Sequence, residues 1–417
     1  MAQDPDQPPP SARALLRQRD YLFFWGSRVT GGLAGQVQSV TLGWHMYLLA
    51  RETRGVGESA FMVGMIGLAA FIPVLLLTLP AGETADRYDR KRILQLCFGA
   101  EVIVALSLAL ATGAGRATPT LLLVIAFLFG TFRAFFSPAN TAMGPMLVPR
   151  ALLPKAIVWN ALAWQMASIA GPAIAGGLIA VSTQTGYFAA ATLYAVAIGF
   201  TTLIRLNTQP EVNAGSRWAL MKEGLAYVWR QKIVFGAISL DLCAVLLGGA
   251  TALLPVFAQD VLHVGANGFG MMRASPAIGA TLVALWLAIN PIRARAGHFM
   301  FGGVAIFGLA TIAFGLSQWL WVSVAALIVL GGADMASVFV RQTLIQLVTP
   351  DPMRGRVAAV STVFIGASNE LGEFESGIVA RLLGPVGAAI FGGVGALVVT
   401  AVWAKLFPDL RRADRLE

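Results

Sequence analysis

Ionisable side chains set inside long apolar stretches are the residues of this 417-residue chain whose types could do chemistry. Arg28, Glu101, Arg133, Asp241, Arg273, Asp334, Arg341, Glu370, Glu373 and Glu375 each stand in such a stretch. A charge in lipid is costly unless it faces water or a partner, so these residues point to a path for ions or solutes. Asp334 and Arg341 lie seven residues apart and share a helical face over two turns, and Glu370 and Glu373 share one by their i, i+3 spacing. A partly desolvated carboxylate close to another holds its proton more tightly, as a site that loads and unloads protons near neutrality requires. Asp334, Glu370 and Glu373 are therefore expected to carry a proton cycle, with Asp241 in reserve. Arg28, Arg133 and Arg341 are expected to pair with these acids in alternation or to bind an anionic group, with Arg273 as a further charge partner. Static buried ion pairs are the competing reading for each, and Glu101 and Glu375 are expected to point toward neighbouring helices.

The elements that would position them are membrane helices. Only 12% of the residues are charged, 57% are hydrophobic and the mean hydropathy is +0.72, against roughly 25% charged in a soluble domain. Forty-five glycines suit helices that approach backbone to backbone in lipid. A crossing helix needs about 20 apolar residues, and the chain divides into twelve such runs, near 21–49, 60–82, 93–114, 119–143, 156–182, 186–206, 233–258, 268–291, 298–317, 319–345, 357–383 and 385–407. Of the 30 Lys and Arg, 22 fall on one side of these spans and only Arg51, Arg54, Arg116 and Arg381 on the other. The positive-inside rule makes the basic side cytoplasmic, with both termini there. The expected organisation is all-α: a cytoplasmic tail at 1–20, a six-helix bundle at 21–206, a linker with an interfacial helix at 207–232, a second six-helix bundle at 233–407 and a cytoplasmic tail at 408–417. Leu147-Val148 before Arg150 and Leu347-Val348 before Arg354 and Arg356 form a faint repeat offset by 200, in keeping with two related halves.

The loop after the second run reads Gly82-x-x-x-Asp86-Arg87-x-x-Arg90-Lys91-Arg92. Gly82 permits a tight exit from the helix, while Asp86 can cap a helix N-terminus and pair with an arginine, a latch for one conformation. The loop resembles the signature of the major facilitator superfamily and sits where that family carries it. Its counterpart in the second half, with Arg293 and Arg295, has no acidic residue. Gly171-Pro172, followed by Ala175-Gly176-Gly177, is similar to the antiporter signature of the same superfamily, with Ala175 where a glycine is expected; plain helix packing by Gly171, Pro172, Gly176 and Gly177 is the other reading. Arg341 through Val357 and then Gly384-Pro385 resemble bacterial exporters of the enterobactin-exporter type, from which the three carboxylates Glu370, Glu373 and Glu375 depart. The resemblance implies a twelve-helix fold in which spans 1, 4, 7 and 10 line a central cavity, and export of a small molecule, such as a siderophore, metabolite or drug, in exchange for protons.

Polar and aromatic residues of these spans are candidates for orienting cargo: Gln36, Gln38, Trp44 and His45, then Asn140, Asn160, Trp164 and Gln165. No cofactor, metal or nucleic-acid partner is expected. Three histidines offer no ligand cluster, Cys97 and Cys243 no pairing pattern, and the basic residues fall in short loop clusters. The first apolar run is too long for a cleavable signal peptide, no phosphate-cradling Gly-x-x-x-x-Gly-Lys-Ser/Thr loop occurs, and an intramembrane enzyme would need a nucleophile and base or a His-Glu-x-x-His motif. The expected partners are the bilayer of the bacterial inner membrane, a small-molecule substrate and protons, with the chain acting as a monomer. A lipid or lysolipid flippase, or an importer, on the same fold remains open.

Overall fold

The computed structural model of the protein describes residues 12–209, 217–290, 292 and 295–412. After a short helix α1 (Ala12–Leu16) come α2 (Arg19–Arg51), α3 (Val56–Arg87), α4 (Arg90–Gly113), α5 (Pro119–Met143), α6 (Leu153–Val181) and α7 (Thr183–Thr202). The linker helix α8 (Arg217–Arg230) follows, then α9 (Lys232–Leu247). The chain continues through a 3-10 turn, the one-turn α10 (Leu254–Val256) and a π-turn at Phe257–Val261. It ends with α11 (Gly265–Ile289), α12 (Ala296–Leu316), α13 (Leu320–Val348), α14 (Asp351–Leu406) and α15 (Pro408–Arg411).

Local chemistry sets where these helices begin and break. The Asp89 carboxylate accepts from the Lys91 backbone N–H at 3.0 Å and caps α4, Thr118 caps α5 ahead of Pro119, and the Ser182 hydroxyl accepts from the Thr185 backbone N–H at 3.1 Å to cap α7. α14 joins two apolar runs across a non-helical Gly384, whose φ of 76° is a backbone state open to glycine, and Pro385 follows it. Nine helices among the described residues are long and apolar enough to cross a membrane, α14 being one. α2 and α7 are not in that set: α2 carries Arg28, Gln36, Gln38 and His45 in its body, and α7 carries several threonines.

Packing follows two patterns. Before the linker, α2 lies against α6 and α7, α4 against α5 and α7, and α3 against α5; after it, α13 lies against α11 and α12, and α14 against α9 and α12. Two long contacts join the helices across the linker, α3 with α14 and α6 with α11. Both depend on missing side chains. A Cβ on Gly64 would stand 2.8 Å from the Glu373 carbonyl oxygen and 3.0 Å from Gly377 Cα, and one on Gly176 would stand 2.8 Å from Gly270 Cα. Gly67 likewise lets α3 rest on Glu370 and Glu373.

α8 forms within the expected linker, and residues 210–216 lie outside the described part. It buries Gly224 and Val228, and docks on the second group of helices through Glu223–Arg356 at 2.5 Å and through the Tyr227 hydroxyl, which donates to the Val348 carbonyl at 3.2 Å.

Because the α3–α14 contact brings backbone against backbone, Gly64→Leu is expected to destabilise the protein by about 1–3 kcal/mol through overpacking. Gly99, which has open space around it, serves as the control, and Gly99→Leu is expected to stay within about 0.5 kcal/mol of the parent. Thermal unfolding of the purified variants in detergent measures both.

Candidate functional site

Most of the buried charges resolve into two groups. The first joins helices from the two sides of the linker. Arg133 on α5 donates from Nη1 to Glu370 Oε1 on α14 at 2.5 Å, and Arg273 Nη2 on α11 lies 3.8 Å from Glu373 Oε1. The two glutamates sit one turn apart on α14, where Gly67 of α3 covers them. The Arg133 side chain is 50% exposed while Glu370 keeps only 14%. The pair is therefore open from the arginine side and enclosed on the acid side.

The second group lies wholly after the linker. Arg341 of α13 forms an ion pair with Asp241 of α9, the two side chains being only 3% and 10% exposed. Asp334 lines the same small cleft as Asp241, with Ser337, Val304 and Phe307 around them. Asp334 shares its helix with Arg341, but the cation is engaged by Asp241 on a different helix. That dry pair is expensive to open, since each charge would be left in an apolar setting.

Arg28 takes neither position. Its guanidinium lies 5.6 Å from the centre of the Phe24 ring on its own helix, its Nε is buried without an acceptor, and among the described residues no acid forms an ion pair with it. The two acids set aside from the proton cycle differ. Glu101 turns to a neighbouring helix and accepts from Gln38 Nε2 of α2 at 2.9 Å, whereas Glu375 is half-buried on α14.

The polar candidates divide in the same way. Gln165 of α6 donates to the Ala277 carbonyl at 2.8 Å and to Thr281 Oγ1 at 2.5 Å on α11, which bridges the two groups of helices near their middle. Asn160 accepts from the Tyr21 hydroxyl at 3.2 Å, Gln36 packs its Cβ against Gly171, and Asn140 is half-buried on α5. Trp164 is 61% exposed. Gln38 and His45 are both buried at helix contacts. Gln38 is fully buried on Glu101, and His45 is buried with its Nδ1 3.0 Å from the Tyr187 hydroxyl. Trp44 stacks on Phe269 of α11 with ring centres 5.4 Å apart.

Of the Gly-Pro segment, Gly171, Pro172 and Gly176 are buried at helix contacts, but Gly177 faces open space and packs nothing. In the loop after α3, the N-cap role belongs to Asp89 and not to Asp86, which is half-buried at the end of α3 beside the buried Gly82 and the exposed Arg87. Arg90 donates to the carbonyls of Ala85 at 3.1 Å and Ala142 at 3.2 Å, tying α3 to α5, and Lys91 Nζ donates to the Ile204 carbonyl at 2.6 Å beyond the end of α7. In the corresponding loop of the second half, Arg293 lies outside the described residues.

Sequence reasoning passed over one further charged cluster. Asp260, on the π-turn, accepts from Tyr47 and from Arg51 Nη2 at 3.2 Å, while Glu58 and Arg381 pair at 3.6 Å. Both pairs join helices across the linker at the end of the molecule opposite α15. Asp260 falls just beyond the expected span at 233–258, among loop residues, where only its opposite charge to Arg51 could have marked it.

Breaking the dry pair is expected to be costly: Arg341→Leu should lower stability by about 3–5 kcal/mol by stranding Asp241. The double change with Asp241→Leu should recover most of that loss. Thermal unfolding of both variants decides between this and a pair of no energetic weight.

Comparison with known proteins places the geometry in a wider setting. The profile of a family described as transmembrane secretion effector matches residues 10–416. The enterobactin exporter EntS of Escherichia coli O139:H28 is 27% identical over 393 residues, covering 93% of this chain and 90% of that protein. EntS of Shigella boydii serotype 4 is 26% identical, covering 91% of each. Among solved structures, an inward-facing, unoccupied bacterial homologue of the human lysosomal transporter Spinster superposes with a TM-score of 0.71 at 13% identity, over 95% of this chain and 96% of that one.

Proposed function

Since the chain belongs to the transmembrane secretion effector family, a branch of the major facilitator superfamily of membrane transporters, we propose that it is a proton-coupled exporter of a small molecule, working by alternating access. The observation that carries the proposal is the Arg133–Glu370 bridge between α5 and α14, on opposite sides of the linker, with Arg273–Glu373 joining α11 to α14 one turn away. A proton arriving on Glu370 neutralises the anion that holds Arg133, loosens the bridge and biases the rocking of one bundle against the other, while a proton on Glu373 would free Arg273 beside it. Cargo that competes for Arg133 or Arg273 would bias the same equilibrium in the opposite sense. Asp334 and the Asp241–Arg341 pair would serve as an inner proton relay, and Arg28, Gln36, Asn140, Asn160, Trp164 and Gln165 would offer contacts to cargo.

In this reading the chain has twelve spans in two six-helix bundles, 21–206 and 233–407, joined by the linker at 207–232. It is a monomer of the bacterial inner membrane with both tails, 1–20 and 408–417, in the cytoplasm. The α14 helix counts as two spans divided at Gly384, and α2 and α7 count as spans despite their polar residues. The Arg51–Asp260 and Glu58–Arg381 pairs would then close the outer end, leaving the path open to the cytoplasm. Gly82, Asp86, Arg87 and Arg90 would form the latch of the opposite state. The export direction follows that of the enterobactin exporters, and a siderophore, metabolite or drug fits the cargo class.

The test is uptake into inverted membrane vesicles energised by an imposed proton gradient, screened with a panel that includes enterobactin. Asp334→Asn, Glu370→Gln and Glu373→Gln are each expected to abolish gradient-driven accumulation while leaving cargo exchange at zero gradient measurable. Unchanged accumulation in all three would remove these acids from the coupling mechanism.

A further inference from the structure

Glu101 stands apart from the charges that bridge the helices across the linker. It lies on α4, only 5% exposed, and among the described residues the one hydrogen bond to its carboxyl group comes from Gln38 Nε2 of α2 at 2.9 Å. The other titratable groups facing it are the buried thiol of Cys97, one turn earlier on α4, and the buried phenol of Tyr194 on α7. None of these is a cation. An ionised carboxylate held by one neutral donor inside a helix bundle would carry a large, uncompensated desolvation cost.

Gln38 has the complementary defect. Its side chain is fully buried, its amide nitrogen is used on Glu101, and its Oε1 has no donor. A buried acceptor left unpaired is itself costly. A proton on Glu101 remedies both faults, because a protonated carboxyl group has one O–H to give and still accepts at its other oxygen. The acid then donates to Gln38 Oε1 while Gln38 Nε2 donates to the acid, and a closed pair of hydrogen bonds links α4 to α2.

We propose that Glu101 is a separate proton-binding site, filled in this conformation, whose proton completes a reciprocal acid–amide pair with Gln38 and fastens α2 to α4. Removal of that proton sets a carboxylate oxygen against an amide carbonyl oxygen and turns the fastening into repulsion. The consequence reaches beyond the first six helices, because α2 also presents Trp44 to Phe269, and Tyr47 and Arg51 to Asp260. The proposal needs neither an identified cargo nor the coupling role given to Glu370 and Glu373.

The test uses the whole chain, purified into lipid nanodiscs, with infrared spectroscopy and thermal unfolding as readouts. At neutral pH the wild-type protein should show a protonated-carboxyl C=O stretch that is missing from Glu101→Gln. Alkali should remove that band and lower the wild-type unfolding midpoint together, whereas Glu101→Gln, whose amide keeps both hydrogen bonds to Gln38, should show no such drop. Gln38→Leu should lose several degrees at neutral pH, and the exchanged pair Gln38→Glu with Glu101→Gln should regain them. No band difference between wild type and Glu101→Gln, an alkaline drop shared by both, or an exchanged pair no more stable than Gln38→Leu would each overturn the proposal. All of these are equilibrium readouts, so failure of the transport scheme leaves them unaffected.

Discussion

A charge placed among membrane helices has to be matched or wetted, and this requirement organises the molecule. Arg341 and Asp241 meet it by nearly complete mutual burial within the helices that follow the linker. Arg133 and Glu370 meet it differently, with the acid covered and half of the arginine exposed. The first arrangement is enclosed and expensive to open, whereas the second is enclosed only on the side of the acid. Two ion pairs of the same chemical type thus differ in how far the protein encloses them.

The polar groups that are not charged obey the same rule at shorter range. Gln165 gives both of its hydrogen bonds to α11, Tyr21 gives its hydroxyl to the Ala156 carbonyl and to Asn160, and Lys91 gives its ammonium to carbonyls at the end of α7. Each satisfies a group that lipid cannot. Gln36 and Asn140 are half-buried, and they stand on helices α2 and α5, the latter also carrying Arg133.

Much of the helical layout was legible in the order of residues, because apolar run length and the distribution of Lys and Arg report directly on the bilayer. The run expected at 119–143 matches α5 residue for residue, and the break expected at 384 coincides with the positive φ of Gly384. The pairing of charges was much less legible. Helical periodicity puts Asp334 and Arg341 on one face, yet the arginine is engaged across the bundle by Asp241, since periodicity describes a single helix and carries no information about its neighbour. Gln38 and His45 looked like cargo contacts for the same reason, and only the positions of α4 and α7 show that both are sealed inside. Asp89 could have been recognised as an N-cap, because it directly precedes the first residue of α4.

The glycines of α3 carry a mechanical implication. Gly57, Gly64 and Gly67 face the backbone of Ala380 and Arg381, Glu373 and Gly377, and Glu370 respectively, so along much of that seam no knob of one helix enters a hole of the other. Interlocked side chains must climb over one another to slip, whereas two nearly bare helical ridges can swivel or slide with little steric resistance. In the proposed transport cycle the seam would serve as a bearing, with its few charged residues as detents where the rotation comes to rest.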